Sequence, residues 1–270
     1  MKNWFIKFSC CLLLNFSLGC NNSDNIASVS PGTDTLSREQ LLKNDLKQYP
    51  DSVLLLENLL QYYREAGNYD RAIATINDRL KIDSNNSRLW DIKATLHFED
   101  TDTAAAINAF EKAVEISADP QYLISLGTIY AETRSPNALL VSDALLESKA
   151  KAEKEAWFIK GLYYSYIKEK TKAISYFDKS LAVSYTYMSA YTEKALALYD
   201  LGKYNDALAV LDKAVTLQNN FDEGYYYRGR CLEKLNKPME AIEAYQMALT
   251  YDPQYTEAKD ALSRLGVKTN

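Results

Sequence analysis

Residues 222–255 read DEGYYYRGRCLEKLNKPMEAIEAYQMALTYDPQY, and the spacing within this stretch decides the fold. Counting Asp222 as position 1, Tyr225 is fourth, Gly229 eighth, Ala241 twentieth, Tyr245 twenty-fourth, Ala248 twenty-seventh and Pro253 thirty-second. One 34-residue step back, Met188 opens a unit with Tyr191, Ala195, Ala207, Leu211 and Ala214 at the matching places. A further step to Lys154 gives Trp157, Gly161, Ala173, Phe177 and Ser180. Aromatic, small, small, large apolar, small is a packing code: small side chains let two helices approach, and large ones fill the gaps between them. A period in this range marks a stacked array in which each helix pair buries its apolar face only against its neighbours.

The register extends toward the N-terminus. Val53–Asn86 carries Tyr63, Gly67, Tyr69 and Ala72; Ser87–Asp119, one residue short, carries Trp90, Ala94, Ala106, Phe110 and Ala113. Pro120–Glu153 keeps Gly127 and Tyr130, but its second half departs, with Pro136, Leu139 and Asp143 where an aromatic, an alanine and a large apolar residue are expected. Six units therefore cover residues 53–255 (53–86, 87–119, 120–153, 154–187, 188–221 and 222–255). Gly67 and Gly202 suit the left-handed turn that closes a first helix. Residues 36–52 form an additional helix placed like the second helix of a preceding unit, with Leu41, Leu42 and Leu46 on one face. In residues 256–270 the stripe continued from Tyr255 through Ala258, Leu262 and Leu265 predicts a terminal capping helix.

These residues resemble the tetratricopeptide repeat, over about three-quarters of the chain. The resemblance implies an all-α superhelical solenoid of helix–turn–helix units that acts as a protein-binding scaffold, with positions 2, 5, 9, 12 and 13 of each first helix lining a concave groove. On this register the groove offers Phe98, Phe158, Leu162, Tyr166, Leu196, Tyr199, Tyr226 and Arg230 to a protein or peptide partner. The Lys/Asn/Arg set with which some relatives clamp a chaperone's C-terminal carboxylate is absent. Self-assembly into a homo-oligomer is the alternative use of such an array.

Residues 1–19 read as an export signal: Lys2 and Lys7 precede an apolar run, Phe8–Gly19, too short for the roughly twenty residues of a membrane span. Cys20 follows directly and resembles the acylated cysteine of bacterial lipoproteins, although Ser17 stands where leucine is usual. This implies a lipid anchor at Cys20, a polar tether over residues 20–35, and a place in a bacterial cell envelope, on the outer membrane facing the periplasm. Ser17 and Gly19 also satisfy ordinary secretory cleavage, which leaves a soluble periplasmic or secreted form as the alternative.

The full chain carries 31 basic and 36 acidic residues, a net charge of −5, and has no basic cluster, which excludes a nucleic-acid partner. The acids read as solvated helix faces. The single histidine, His97, falls at a packing position, and no spacing of Cys, His or acids suggests a metal or cofactor. Cys231 lies within a first helix as a small apolar residue. Nothing assembles a nucleophile with a base, so no enzyme is expected.

Overall fold

The computed structural model describes residues 36–148 and 151–268, which form fourteen α-helices. The export signal, Cys20 and the tether lie outside the described residues. After α1 (Arg38–Gln48) the helices come in pairs: α2 (Val53–Glu65) with α3 (Tyr69–Ile82), α4 (Ser87–Glu99) with α5 (Thr103–Ile116), and α6 (Pro120–Glu132) with α7 (Asn137–Glu147). They continue with α8 (Glu153–Tyr166) and α9 (Lys170–Val183), α10 (Met188–Asp200) and α11 (Tyr204–Leu217), α12 (Asp222–Lys234) and α13 (Pro238–Tyr251), and end with α14 (Thr256–Arg264). Each helix packs on its sequence neighbours, and no described element reaches far across the chain.

The small residues sit where helices come closest. Ala72, Ala106, Ala173, Ala207 and Ala241, all at position 20, are fully buried. A Cβ added at Gly161 would lie 2.4 Å from the Phe177 ring, and one at Gly229 would lie 2.5 Å from Tyr245, so each glycine supports an aromatic ring across its helix pair. At position 27 of the fourth unit, Ser180 is buried and donates its hydroxyl to the Lys154 carbonyl at 2.8 Å, so its polar atom is satisfied. The irregular third unit restores its packing by a one-residue slip. Ala138 and Ser142 are fully buried, in place of the expected positions at Leu139 and Asp143, and Ser142 donates to the Ala138 carbonyl. The resulting α7 has 11 residues, whereas the second helices of the other five units have 14.

Each first helix ends in the same turn. The residue at position 15 has positive φ in all six units: Gly67 (64°), Thr101 (67°), Arg134 (60°), Lys168 (69°), Gly202 (72°) and Asn236 (57°). The following amide then reaches back to the helix, as in Asn68 to the Tyr63 carbonyl, Asp102 to His97 and Glu169 to Tyr164. These are Schellman closures, which satisfy carbonyls that would otherwise end the helix unpaired. Only two of the six turns use glycine.

Adjacent units are also tied by a repeated ion pair. Lys160 meets Asp143, Lys194 meets Asp178 at 2.6 Å, and Arg228 meets Asp212 at 2.6 Å; each is a position-7 cation reaching the second helix of the preceding unit. At the N-terminal end, Ser37 and Gln40 form a capping box on α1. Leu42 and Leu46 pack on the first core cluster, whereas Leu41 is 49% exposed and does not join their buried face. At the other end Ala258, Ala261 and Leu262 are buried against the last unit, and α14 caps the array.

Candidate partner-binding groove

The first helices α2, α4, α6, α8, α10 and α12 carry the predicted groove residues. Two of these do not line a surface. Phe158 is only 4% exposed, its ring 5.8 Å from Phe177 and 5.2 Å from Tyr187, and Leu162 is fully buried. The two residues stand at positions 5 and 9 of the fourth unit, where close packing against α9 and α10 turns them into core. Phe98, Tyr166, Leu196, Tyr199, Tyr226 and Arg230 keep partial exposure.

At the C-terminal end the aromatic groups meet one another. Tyr226 contacts Tyr227 at 5.1 Å, Tyr245 at 5.7 Å and Tyr255 at 5.0 Å between ring centroids. The Arg230 guanidinium lies 4.9 Å from the Tyr199 ring centroid and 5.5 Å from that of Tyr227, within cation–π range. Tyr199 also meets Tyr204 edge-on at 5.1 Å. Burial raises the phenols of Tyr166, Tyr226 and Tyr227 above the ordinary tyrosine value, so all three remain neutral at physiological pH.

The same face holds carboxylates that do not behave as solvated ones. Glu132, at position 13 of the third unit, is pushed up to about 7 by burial. Glu193, on α10, is likewise pushed up to about 7, by burial first and then by the negative charge of Glu223. Glu223, at position 2 of the last unit, is raised by burial although it accepts a hydrogen bond from the Thr192 hydroxyl at 3.1 Å. In the second unit, burial pushes Asp91 up to about 6. The reading of the acids as uniformly solvated faces is therefore corrected at these positions. Glu132 and Glu223 stand at register positions 13 and 2, so the register could have picked them out. Glu193, at position 6, carries no such signal.

Two residues singled out in the sequence lie in packed surroundings. Burial lowers the His97 pKa, and its Nδ1 has no hydrogen-bond partner; the nearest acid, Asp102, is 3.9 Å away. Cys231 is 1% exposed and burial pushes its thiol up to about 12, far from a reactive thiolate. Among the described residues no group of three or more Cys, His, Asp or Glu could hold a metal ion, and no helix is long and apolar enough to cross a membrane.

Family models described as tetratricopeptide repeat match residues 87–120, 154–187 and 192–256. The chain is a tetratricopeptide repeat protein, and its class is that of interaction scaffolds. It is similar to a tetratricopeptide repeat protein from Parabacteroides merdae, with a TM-score of 0.67 and 19% identity over 84% of this chain and 91% of that one. The fold is also that of PilW, described as a type IV pilus biogenesis factor, with a TM-score of 0.60 and 21% identity over 77% of this chain and 97% of that one. In sequence, the chain is 25% identical to the DnaJ homolog subfamily C member 7 homolog of Dictyostelium discoideum over 91% of its own length and 39% of the relative's. It is 24% identical to the Hsp70-Hsp90 organizing protein of Triticum aestivum, over 79% of its own length and 38% of the relative's. The chain thus spans about two-fifths of each of these two curated relatives.

Proposed function

We propose that this protein is a non-catalytic adaptor that holds a segment of a partner protein along its first-helix groove, and that it is tethered in a bacterial cell envelope by a lipid on Cys20. The observation that carries the groove reading is the run of part-exposed aromatic and apolar groups on consecutive first helices, namely Tyr166, Leu196, Tyr199 and Tyr226. Contiguous surface of this kind is characteristic of contact sites, and tyrosines give large contact area with a polar end. The name of the wheat relative, which describes the organising of two other proteins, supports the same class of role. The anchor rests on the sequence: a short apolar run ending at Gly19, directly before Cys20.

Crosslinking and pull-down from native membranes, comparing wild type with Tyr166→Ala/Tyr199→Ala/Tyr226→Ala, tests the groove. Loss of the captured partner with unchanged helical circular dichroism supports the reading; full retention refutes it. Light scattering on the same samples tests the self-assembly alternative, since a stable homodimer abolished by the triple substitution would assign the face to a second copy. For the anchor, Cys20→Ala should release the protein from the membrane fraction, and mass spectrometry finding an unmodified Cys20 in the wild type would refute the lipid.

A further inference from the structure

The cation at position 7 occurs in four units, as Lys93, Lys160, Lys194 and Arg228. In the last three it meets an aspartate on the second helix of the preceding unit, namely Asp143, Asp178 or Asp212. Asp178 and Asp212 stand at position 25, and Asp143 one place earlier because of the slip in the third unit. Position 25 of the first unit is Asn77, and Lys93 forms no ion pair among the described residues. Burial lowers the Lys93 pKa, and no carboxylate opposes that effect. The fourth unit shows what is missing. Its Lys160 lies 5.2 Å from the Trp157 ring centroid and also pairs with Asp143. Lys93 lies 5.0 Å from the Trp90 ring centroid, the same tryptophan and lysine at positions 4 and 7, without the acid.

There is room for an acid from outside. An open cleft of about 530 Å³ lies between α3 and α4, lined by Asn77, Asp78, Leu80, Lys81, Trp90 and Lys93 among others. Asp78 does not serve Lys93, because its carboxylate pairs with Lys81 at 2.7 Å. The Trp90 ring is held in place by its Nε1, which donates to the Ser84 carbonyl at 2.9 Å. A half-buried ammonium beside a fixed ring and a side-chain amide suits a carboxylate, which accepts a charge-assisted hydrogen bond from Lys93 and a second bond from Asn77. We infer that the cleft between α3 and α4 takes an aspartate or glutamate side chain from an acidic segment of a partner protein, which gives Lys93 the carboxylate that Asp143 gives Lys160. The occupant is a polypeptide for two reasons. At three other junctions the equivalent cation is met by a polypeptide aspartate, and one ammonium in an open cleft holds a free anion only weakly. The site is separate from the groove. Trp90 and Lys93 stand at positions 4 and 7 and the other lining residues named lie on α3, whereas the groove uses positions 2, 5, 9, 12 and 13 of first helices.

The test uses the full-length protein and three fluorescein-labelled twelve-residue peptides that alternate alanine with aspartate, serine or lysine, read by fluorescence anisotropy. The aspartate peptide should bind tightest and the lysine peptide weakest. Lys93→Gln should weaken the aspartate peptide by about tenfold, whereas Lys112→Gln, the same change in charge at an exposed second-helix position, should leave it unchanged. Asn77→Asp rebuilds the internal pair and should weaken the aspartate peptide to a similar degree, about tenfold, whereas Asn108→Asp, exposed on α5, should not. Helical circular dichroism checks that each variant folds. An aspartate peptide that binds no better than the serine peptide, or that is indifferent to Lys93→Gln and Asn77→Asp, would overturn the inference. Loss of the aspartate peptide with Tyr199→Ala/Tyr226→Ala but not with Lys93→Gln would put the acid in the groove, which overturns this inference and leaves the groove reading standing.

Discussion

Thr101 sits at φ 67° in the turn that closes α4, a conformation in which an L-residue crowds its own carbonyl. The expected outcome of Thr101→Gly is a more stable protein. Holding a non-glycine residue in this region costs about 1–2 kcal/mol. Glycine removes that cost but loses more backbone freedom on folding, roughly 0.5–1 kcal/mol. The difference leaves a gain of about 0.5–1 kcal/mol, or roughly 1–3 °C in Tm for a chain of this size. No side-chain contact is sacrificed, because Thr101 is exposed, and the closing bonds are made by backbone: Thr101 N–H to the Phe98 carbonyl at 3.0 Å and Asp102 N–H to His97 at 2.9 Å. Gly202→Ala is the mirror experiment. Gly202 has φ 72° and an added Cβ there would meet nothing within 4 Å, so any loss comes from the backbone alone. The same arithmetic reversed gives a loss of about 0.5–1 kcal/mol. Urea denaturation followed by circular dichroism measures both, with hydrogen exchange of the α4–α5 turn as a local readout. A destabilised Thr101→Gly, or a Gly202→Ala indistinguishable from wild type, would refute the argument that these turns are strained wherever glycine is missing.

Further outcomes follow from packing and burial. Gly161→Ala should cost about 1–3 kcal/mol by overpacking, because its Cβ would fall 2.4 Å from Phe177; an unchanged denaturation midpoint would mean the ring moves freely. Ala207→Leu, at a fully buried position between α10 and α11, should cost a similar amount, about 1–3 kcal/mol, on the same measurement. Glu193 is raised from 4.5 to about 7, by burial first, with Glu223, Glu132 and Asp200 acting in the same direction and Lys170 opposing. Below pH 4.5 the group is protonated in both states; as pH rises through 7 the unfolded chain gains from ionisation that the fold resists, so stability falls. Glu193→Gln should therefore stabilise the protein at pH 8, on the order of 1–3 kcal/mol, and flatten the pH dependence between 5 and 8; a less stable variant at pH 8 would contradict this. Cys231 should resist a thiol reagent until the protein unfolds, and rapid labelling of native protein would contradict its burial.

The fold was legible because packing in a repeat is written in side-chain volume, and volume shows directly in residue identity. Gly161, Ala173 and Phe177 announce a close helix pair whether or not the partner helix is known. The turns were only half legible. Gly67 and Gly202 signal a left-handed residue, but Thr101, Arg134 and Lys168 occupy the same conformation because the surrounding helix pair imposes it. The groove was the least legible part. A register position states which way a side chain starts, not what covers it, so Phe158 and Leu162 looked like surface and are core. Glu193 looks like any solvated acid in the sequence; its raised pKa comes first from burial and then from Glu223 and Glu132, and only stacking produces that burial and brings those charges near it.

The short α7 has a geometric consequence. A helix advances 1.5 Å per residue, so an 11-residue α7 falls about 4.5 Å short of its 14-residue counterparts, while α6 keeps the same 13 residues as α4 and α10. An arch with one undersized stone in a single course has a step in that course. That stone lies between the first three first helices, α2, α4 and α6, and the last three, α8, α10 and α12. A partner chain long enough to follow the whole array would pass this step at the third unit, and one confined to the last three units would not meet it.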